Sequence, residues 1–345
     1  MVAKVPVVGD AILDAAGQAW PPFVLVAGLL LIGAVVEHEG VFAALGARIG
    51  RIGGPPVALL AALLGLEAVV TAVLNLDTAV VFLTPIMVHA ARQRRYDERP
   101  FLYGALFMAN GASLLLPGSN LTNLIVLAHE PLSGAAFARA MALPWLVVVV
   151  VTIGFVAVAF PLPRQEEAYE PLPPLNVGIG VAATLAATIL ILALRNAAIP
   201  VLAVGLAAVA TRRLRPRFGA PVLAGLFLLA VALGALARRW SGPSQLLGHL
   251  GGVGDAALGA VASVMINNLP AATLLAAHKP PHPLQLLIGL NLGPNLAFTG
   301  SLSAYLWYTA ARRASAQPSF ARASLLGLAL VPLTIGCALA VLHAS

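Results

Sequence analysis

Apolar stretches of about twenty residues, joined by short polar segments, recur along the whole chain and limit its fold more than any other feature. A helix needs about 20 such residues to cross a hydrocarbon core of about 30 Å. Reading the runs between charged joins predicts spans near 21–38, 101–128, 141–160, 176–194, 197–211, 220–237, 284–311 and 323–343. Of the 345 residues, 60% are hydrophobic and 10% charged. A soluble chain carries roughly a quarter charged residues, so no soluble fold could bury this much apolar surface. The expectation is an all-α, multi-pass integral membrane protein forming one membrane domain over 1–345, with about eight spans.

The net charge of +7 would suit nucleic acid, but the arginines sit in loops beside apolar runs. Arg92, Arg94, Arg95 and Arg99 form one cluster, and Arg212, Arg213, Arg215 and Arg217 another. That is the positive-inside pattern, so the expected partner is a lipid bilayer, not nucleic acid. The first twenty residues lack a cleavable signal with a charged start and a small-residue site. The first run is therefore expected to stay in the membrane, in a bacterial inner membrane. The single cysteine, Cys337, excludes an intrachain disulfide framework. His89, His129, His249, His278, His282 and His343 lack ligand spacing, so no metal site and no cofactor is expected beyond a coupling H+ or Na+.

Two stretches do not read as simple spans. Residues 57–91 are too long for one crossing, are interrupted at Asn75-Leu76-Asp77-Thr78, and have arginines on both flanks. Like-charged flanks predict a re-entrant hairpin of two half-helices, with its polar tip at mid-membrane. Residues 254–278, broken at Asn267-Asn268-Leu269-Pro270, read as a second hairpin that enters from the other face. Placing the arginine-rich loops in the cytoplasm leaves Arg238 and Arg239 on the wrong side.

Each half then reads span, re-entrant hairpin, broken helix, span, and the second half starts from the opposite face. The expected organisation is an inverted repeat, with repeat 1 at about 21–160 and a Pro- and acid-rich linker at 161–175. Scaffold helices at 176–211 and repeat 2 at about 220–343 complete it. Inverted repeats are a common plan for secondary transporters. A weak match supports it: Gly111 with Gly293, Leu114 with Leu296, Gly118-Ser119 with Gly300-Ser301, and Leu124 with Leu306. At the hairpin tips the pairing of Asn75 or Leu76 with Asn267 is ambiguous by one residue.

Broken helices survive in lipid only inside protein or against a wet cavity. Breaks at Asn75–Thr78, Pro117–Asn123, Asn267–Pro270 and Gly293–Ser301 combine Gly or Pro with amides and hydroxyls. They can converge on one midplane site. The candidate ligands for a small solute or ion are Asn75, Asp77, Thr78, Ser113, Gly118, Ser119, Asn120, Thr122, Asn123, Asn267, Asn268, Asn291, Asn295, Thr299, Gly300 and Ser301. Asp77 is the candidate coupling group, because an ionisable residue inside a span is functional by default. Glu67, in the first arm, is either a proton-relay group or a buried structural acid. GxSxG, HExxH and Walker A motifs are all missing, so an enzyme is not expected.

The segments VEHEG (36–40), NLDTAVVFLTP (75–85), NGASLLLPGSNLTN (110–123), SVMINNLPAATL (263–274) and NLGPNLAFTGSLSAYLW (291–307) resemble the ion transporter superfamily. That superfamily includes citrate-transporter-like members, and the sequence is most similar to its arsenite/antimonite efflux permease branch. The resemblance implies a site between two hairpin tips and two unwound helices, elevator-like motion, proton- or ion-coupled transport, and a homodimer. Two departures stand out: Leu76 separates Asn75 from Asp77 where the branch has Asn-Asp, and the chain is short of scaffold helices. Proton- or ion-coupled arsenite efflux is the first expected activity. The alternatives are a sodium-coupled dicarboxylate/citrate-type transporter, a sodium/proton antiporter, and, from another class, a membrane enzyme acting on a lipid-like substrate.

Overall fold

Apolar helices limited by glycine, proline and charged turns build the whole of the computed structural model, which describes residues 8–51, 55–128, 130, 132–162, 177–215, 220–240 and 242–344. The first part of the chain contains α1 (Val8–His38), α2 (Val41–Ile49), α3 (Pro56–Val73), α4 (Leu76–Gln93), α5 (Arg99–Gly111) and α6 (Leu121–Leu127). Next come α7 (Gly134–Ala159), α8 (Ile179–Ala193), α9 (Ala198–Thr211) and α10 (Ala220–Arg239). The last part has α11 (Gly242–Ile266), α12 (Asn268–Leu275), α13 (Pro283–Leu292), α14 (Leu302–Arg313) and α15 (Phe320–Ala344). Among the described residues there is no strand.

Six helices are long and apolar enough to cross a membrane: α1, α3, α7, α10, α11 and α15. The chain is a multi-pass membrane protein. Of the eight spans expected from sequence, α1, α7, α10 and α15 are single long helices, while α8 and α9 are shorter, at 15 and 14 residues. The other two are broken. Between α5 and α6 lie 3-10 turns at Ala112–Leu114 and Pro117–Ser119, and between α13 and α14 lie turns at Gly293–Leu296 and Phe298–Gly300.

Several boundaries differ from the sequence reading. α1 starts at Val8 and α7 at Gly134, each earlier than expected, because these lead-ins carry Asp10, Asp14 and Gln18, and Arg139, among small residues. α2 was not anticipated. α11 begins at Gly242, twelve residues before the expected arm, and bends at Gly251, whose φ of 67° suits glycine. The linker from residue 163 onward, His129 and Arg217 lie outside the described residues.

Hydrogen bonds show which helix ends lie together. Arg94 Nε donates to Gly50 O at 2.7 Å, tying the end of α4 to the chain just ahead of α3. Arg92 donates to Ala314 O at 2.6 Å, bringing the end of α14 to the same place. Glu39, after α1, accepts from Gly180 N at 2.9 Å and pairs with Arg212 at 2.6 Å, joining the start of α8 to the end of α9. At the opposite end of the bundle, Gln18 donates to Ile125 O at 3.3 Å in α6 and to Ala276 O at 3.0 Å just after α12. Arg238 donates to Gln18 Oε1. This accounts for Arg238, which sequence charge-counting left misplaced: it is a half-buried structural donor at the junction of α10 and α11.

The α3–α4 pair therefore opens at the basic end and the α11–α12 pair at the other. The first turns at the buried Asn75 and the second at the partly exposed Asn267, and in each pair the two helices pack on one another. Small residues let backbones approach closely. A Cβ on Gly205 would come within 2.7 Å of Gly28 O, and one on Gly289 within 1.9 Å of Ala256 O. The first contact joins α1 to α9 and the second joins α11 to α13.

Candidate functional site

Four helices begin at breaks, and at each break a polar side chain caps the new helix. Asn75 Oδ1 accepts from Thr78 N at 2.7 Å at the start of α4. Asn120 Oδ1 accepts from Thr122 N at 3.1 Å at α6, and Asn267 Oδ1 from Leu269 N at 3.3 Å at α12. Ser301 Oγ accepts from Ser303 N at 3.2 Å at α14. These are ordinary capping residues for ordinary capping reasons. Their location is the unusual point, because all four line a single cavity of about 710 Å³.

Of the sequence candidates, Asn75, Asp77, Thr78, Asn120, Thr122, Asn267, Asn268 and Ser301 line that cavity. Asp77 is half-buried in the first turn of α4, and its carboxylate has no hydrogen bond or ion pair among the described residues. Asn267 holds φ 74° and ψ 149°, a strained conformation for a residue with a side chain. Its amide donates to Thr299 O at 3.0 Å, which ties the α11–α12 turn to the break before α14.

The other candidates lie behind the wall. Asn291 accepts from Asn120 Nδ2 at 2.8 Å and from Thr122 Oγ1 at 2.6 Å, and donates to Asn123 at 2.6 Å. Asn295 accepts from Asn110 Nδ2 at 2.8 Å. Ser113 donates to Asn110 O at 2.7 Å, and Ser119 to Ser113 O at 2.6 Å, both fully buried. Gly118 packs on Leu25, Leu29 and Ile191, and Gly300 on Pro294. Thr299 is exposed and donates to Val264 O at 2.8 Å. The two halves are thus joined by buried amides as well as facing each other across the cavity.

A cross-pattern runs through these contacts. Ser303 Oγ donates to Asn110 Oδ1 at 3.1 Å, just as Thr122 Oγ1 donates to Asn291 Oδ1. In each half an Asn near the end of the helix before the break receives the hydroxyl that follows the other half's break. Both Asn–hydroxyl pairs within a half are spaced by twelve residues: 110 with 122, and 291 with 303. Asn120 and Ser301 play the same capping role, so the structural correspondence is shifted by one residue from the Gly118-Ser119 match. Asn75 and Asn267 likewise share a role. Sequence reasoning did not select Asn110 and Ser303, and the twelve-residue spacing was the signal that would have found them.

It also missed Tyr305, Thr309 and Arg313 on α14, which line the cavity toward the basic end. Arg313 is the one cationic side chain among the lining residues. With four helix starts nearby, whose positive dipole ends favour negative charge, the cavity is suited to a small anion with several oxygens. Among the described residues no group of His, Cys, Asp and Glu is arranged to hold a metal.

Comparison with known proteins gives a family and a fold. A family model described as citrate transporter matches residues 2–288. No curated protein matches the sequence. Among solved structures, the YdaH transporter of Alcanivorax borkumensis, described as having an unusual topology, has a similar fold at a TM-score of 0.58 and 14% identity. The match covers 97% of this chain and 86% of that one.

Proposed function

The chain belongs to the citrate transporter family, whose members are secondary transporters and not enzymes, and from that premise we propose that it carries a small polycarboxylate anion through the cavity at the four helix starts. The convergence of those N-termini supports the reading. Backbone N–H groups and dipoles at helix starts favour negative charge, and Arg313 adds a full positive charge at the cavity's basic end. Broken helices whose starts face a midplane site are how transporters bind anions without burying many lysines.

On this reading the two helix pairs are re-entrant hairpins entering from opposite faces of a cell membrane, with the basic end in the cytoplasm. The pairs and broken helices move as an elevator against α1, α8, α9 and α10. Asp77 is the coupling group, binding H+ or Na+ beside the substrate. The test is uptake of labelled citrate by purified protein in liposomes under imposed proton or sodium gradients. Gradient-dependent uptake that Asp77→Asn uncouples is the expected result. Uptake no faster than in empty liposomes removes the citrate reading.

Arsenite efflux, the first expectation from sequence, remains a second reading. It draws on the Thr78, Asn120, Thr122 and Ser301 amides and hydroxyls, which can hydrogen-bond a neutral trihydroxide. The helix dipoles give such a neutral solute much less than they give an anion, which ranks it behind a carboxylate. Arsenite in place of citrate in the same liposomes separates the two.

A further inference from the structure

Thr71, like Thr78 and Thr84, departs from the usual pattern of a buried helical threonine. A helical threonine commonly donates to the carbonyl four residues back, as Thr184, Thr188, Thr273 and Thr334 do, each at 2.9 Å. The Thr71 hydroxyl is fully buried and has no partner. Three neighbours share that state: both carboxyl oxygens of Glu67, the amide nitrogen of Asn75 and the hydroxyl of Thr78. Glu67 and Thr71 are 0% exposed, Asn75 1% and Thr78 2%.

Their spacing is regular. Glu67 and Thr71 are four residues apart and so share one face of α3, and Asn75 follows at the break, two residues past the helix end at Val73. Thr78 opens α4 beside Asn75, and both border the cavity that Asp77 enters. At 1.5 Å per residue, Glu67 lies about 12 Å from the turn. Polar atoms without hydrogen-bond partners among the described residues thus recur between the cavity and an acid eight positions before Asn75.

The surroundings of Glu67 contain no countercharge. The helices packed on α3 carry Arg48 on α2, Asp77, His89 and Arg92 on α4, Arg99 and Tyr103 on α5, and Arg139 on α7. None of them bonds to Glu67. A bare carboxylate without donor or cation is very costly there, whereas the neutral acid is tolerated. A group of that kind holds a proton well and holds no other cation.

We propose that this stripe is a proton path and that Glu67 is the proton store at its end. The proposal rests on the reading of Asp77 as the coupling group and names the coupling ion as a proton. A proton leaves the Asp77 carboxyl, passes the Thr78 and Thr71 hydroxyls with bridging water, and forms the O–H bond of a neutral Glu67. The return follows the same route. Asn75 holds the bridging water through its free amide N–H.

Infrared spectroscopy of the purified protein in liposomes tests this without any substrate. A protonated-carboxyl band that shifts in heavy water is expected in wild type, absent from Glu67→Gln and displaced in Glu67→Asp. Thr71→Val is expected to keep the band and slow its deuterium shift by about tenfold. A band unchanged by Glu67→Gln, or exchange as fast in Thr71→Val as in wild type, overturns the proposal. If Glu67→Gln does not fold, the Glu67→Asp displacement and the Thr71→Val rate decide it. Because citrate takes no part, this result is independent of whether citrate is the substrate. In citrate-loaded liposomes, Glu67→Gln is further expected to lose proton uptake while retaining citrate–citrate exchange.

Discussion

Asn291 accepts two hydrogen bonds and donates a third, all to residues of the other half. Removing it leaves Asn120, Thr122 and Asn123 with unpaired buried groups, each costing about 1–3 kcal/mol. Asn291→Ala is therefore expected to lower the thermal unfolding temperature in detergent by several degrees and to abolish transport, whereas Asn268→Ala, which breaks no hydrogen bond between halves among the described residues, is expected to lose transport with little change in stability. At the strained Asn267, alanine keeps the unfavourable φ and loses the amide, while glycine removes the strain. Asn267→Gly is expected to be the more stable variant by about 1 kcal/mol or more, measured by the same unfolding temperatures. Sequence identified the polar residues of the breaks, because amides and hydroxyls among apolar residues stand out. It did not identify which way each faces. Asn123 and Asn291 look the same as Asn120 in sequence, yet they join the halves behind the cavity wall, since orientation depends on 3-10 geometry that single-residue spacing does not encode.

Among elements, α1 approaches the site closely at Thr78. A Cβ on Gly33 would come within 2.7 Å of Thr78 Cγ2 and 3.2 Å of its hydroxyl. Gly33→Ala is expected to leave the protein folded, with normal detergent elution, and to cut the transport rate several-fold by holding the α4 start against α1. Gly289→Ala differs, because the clash at 1.9 Å is with the Ala256 backbone carbonyl and cannot be relieved by a side-chain rotation. It is expected to destabilise by about 1–3 kcal/mol, as over-packed cores do. The long spans were legible in sequence because hydrophobicity alone defines them. α2 and the first half of α11 were not. Their glycines and scattered polar residues resemble a loop, and only packing, of α2 on α4 and of α11 on α13, makes them helices.

Across the whole molecule, the proposed arrangement has the two pairs opening at opposite ends, as the arginine clusters suggest. Arg238 was the exception in that reading, since charge counting cannot distinguish a loop arginine from one that donates to Gln18. Gln18 also donates to Ile125 O in α6 and to Ala276 O just after α12, contacts that the proposed elevator motion would break. The central claim is that the two halves form one substrate site between them. In a Cys337→Ser background, Val81→Cys and Tyr305→Cys place a more accessible thiol on each half's contribution to the cavity wall. Citrate protection of each from maleimide labelling measures whether they belong to one site. Protection of both at the same half-maximal citrate concentration is expected. Protection of only one, or at clearly different concentrations, contradicts a shared site.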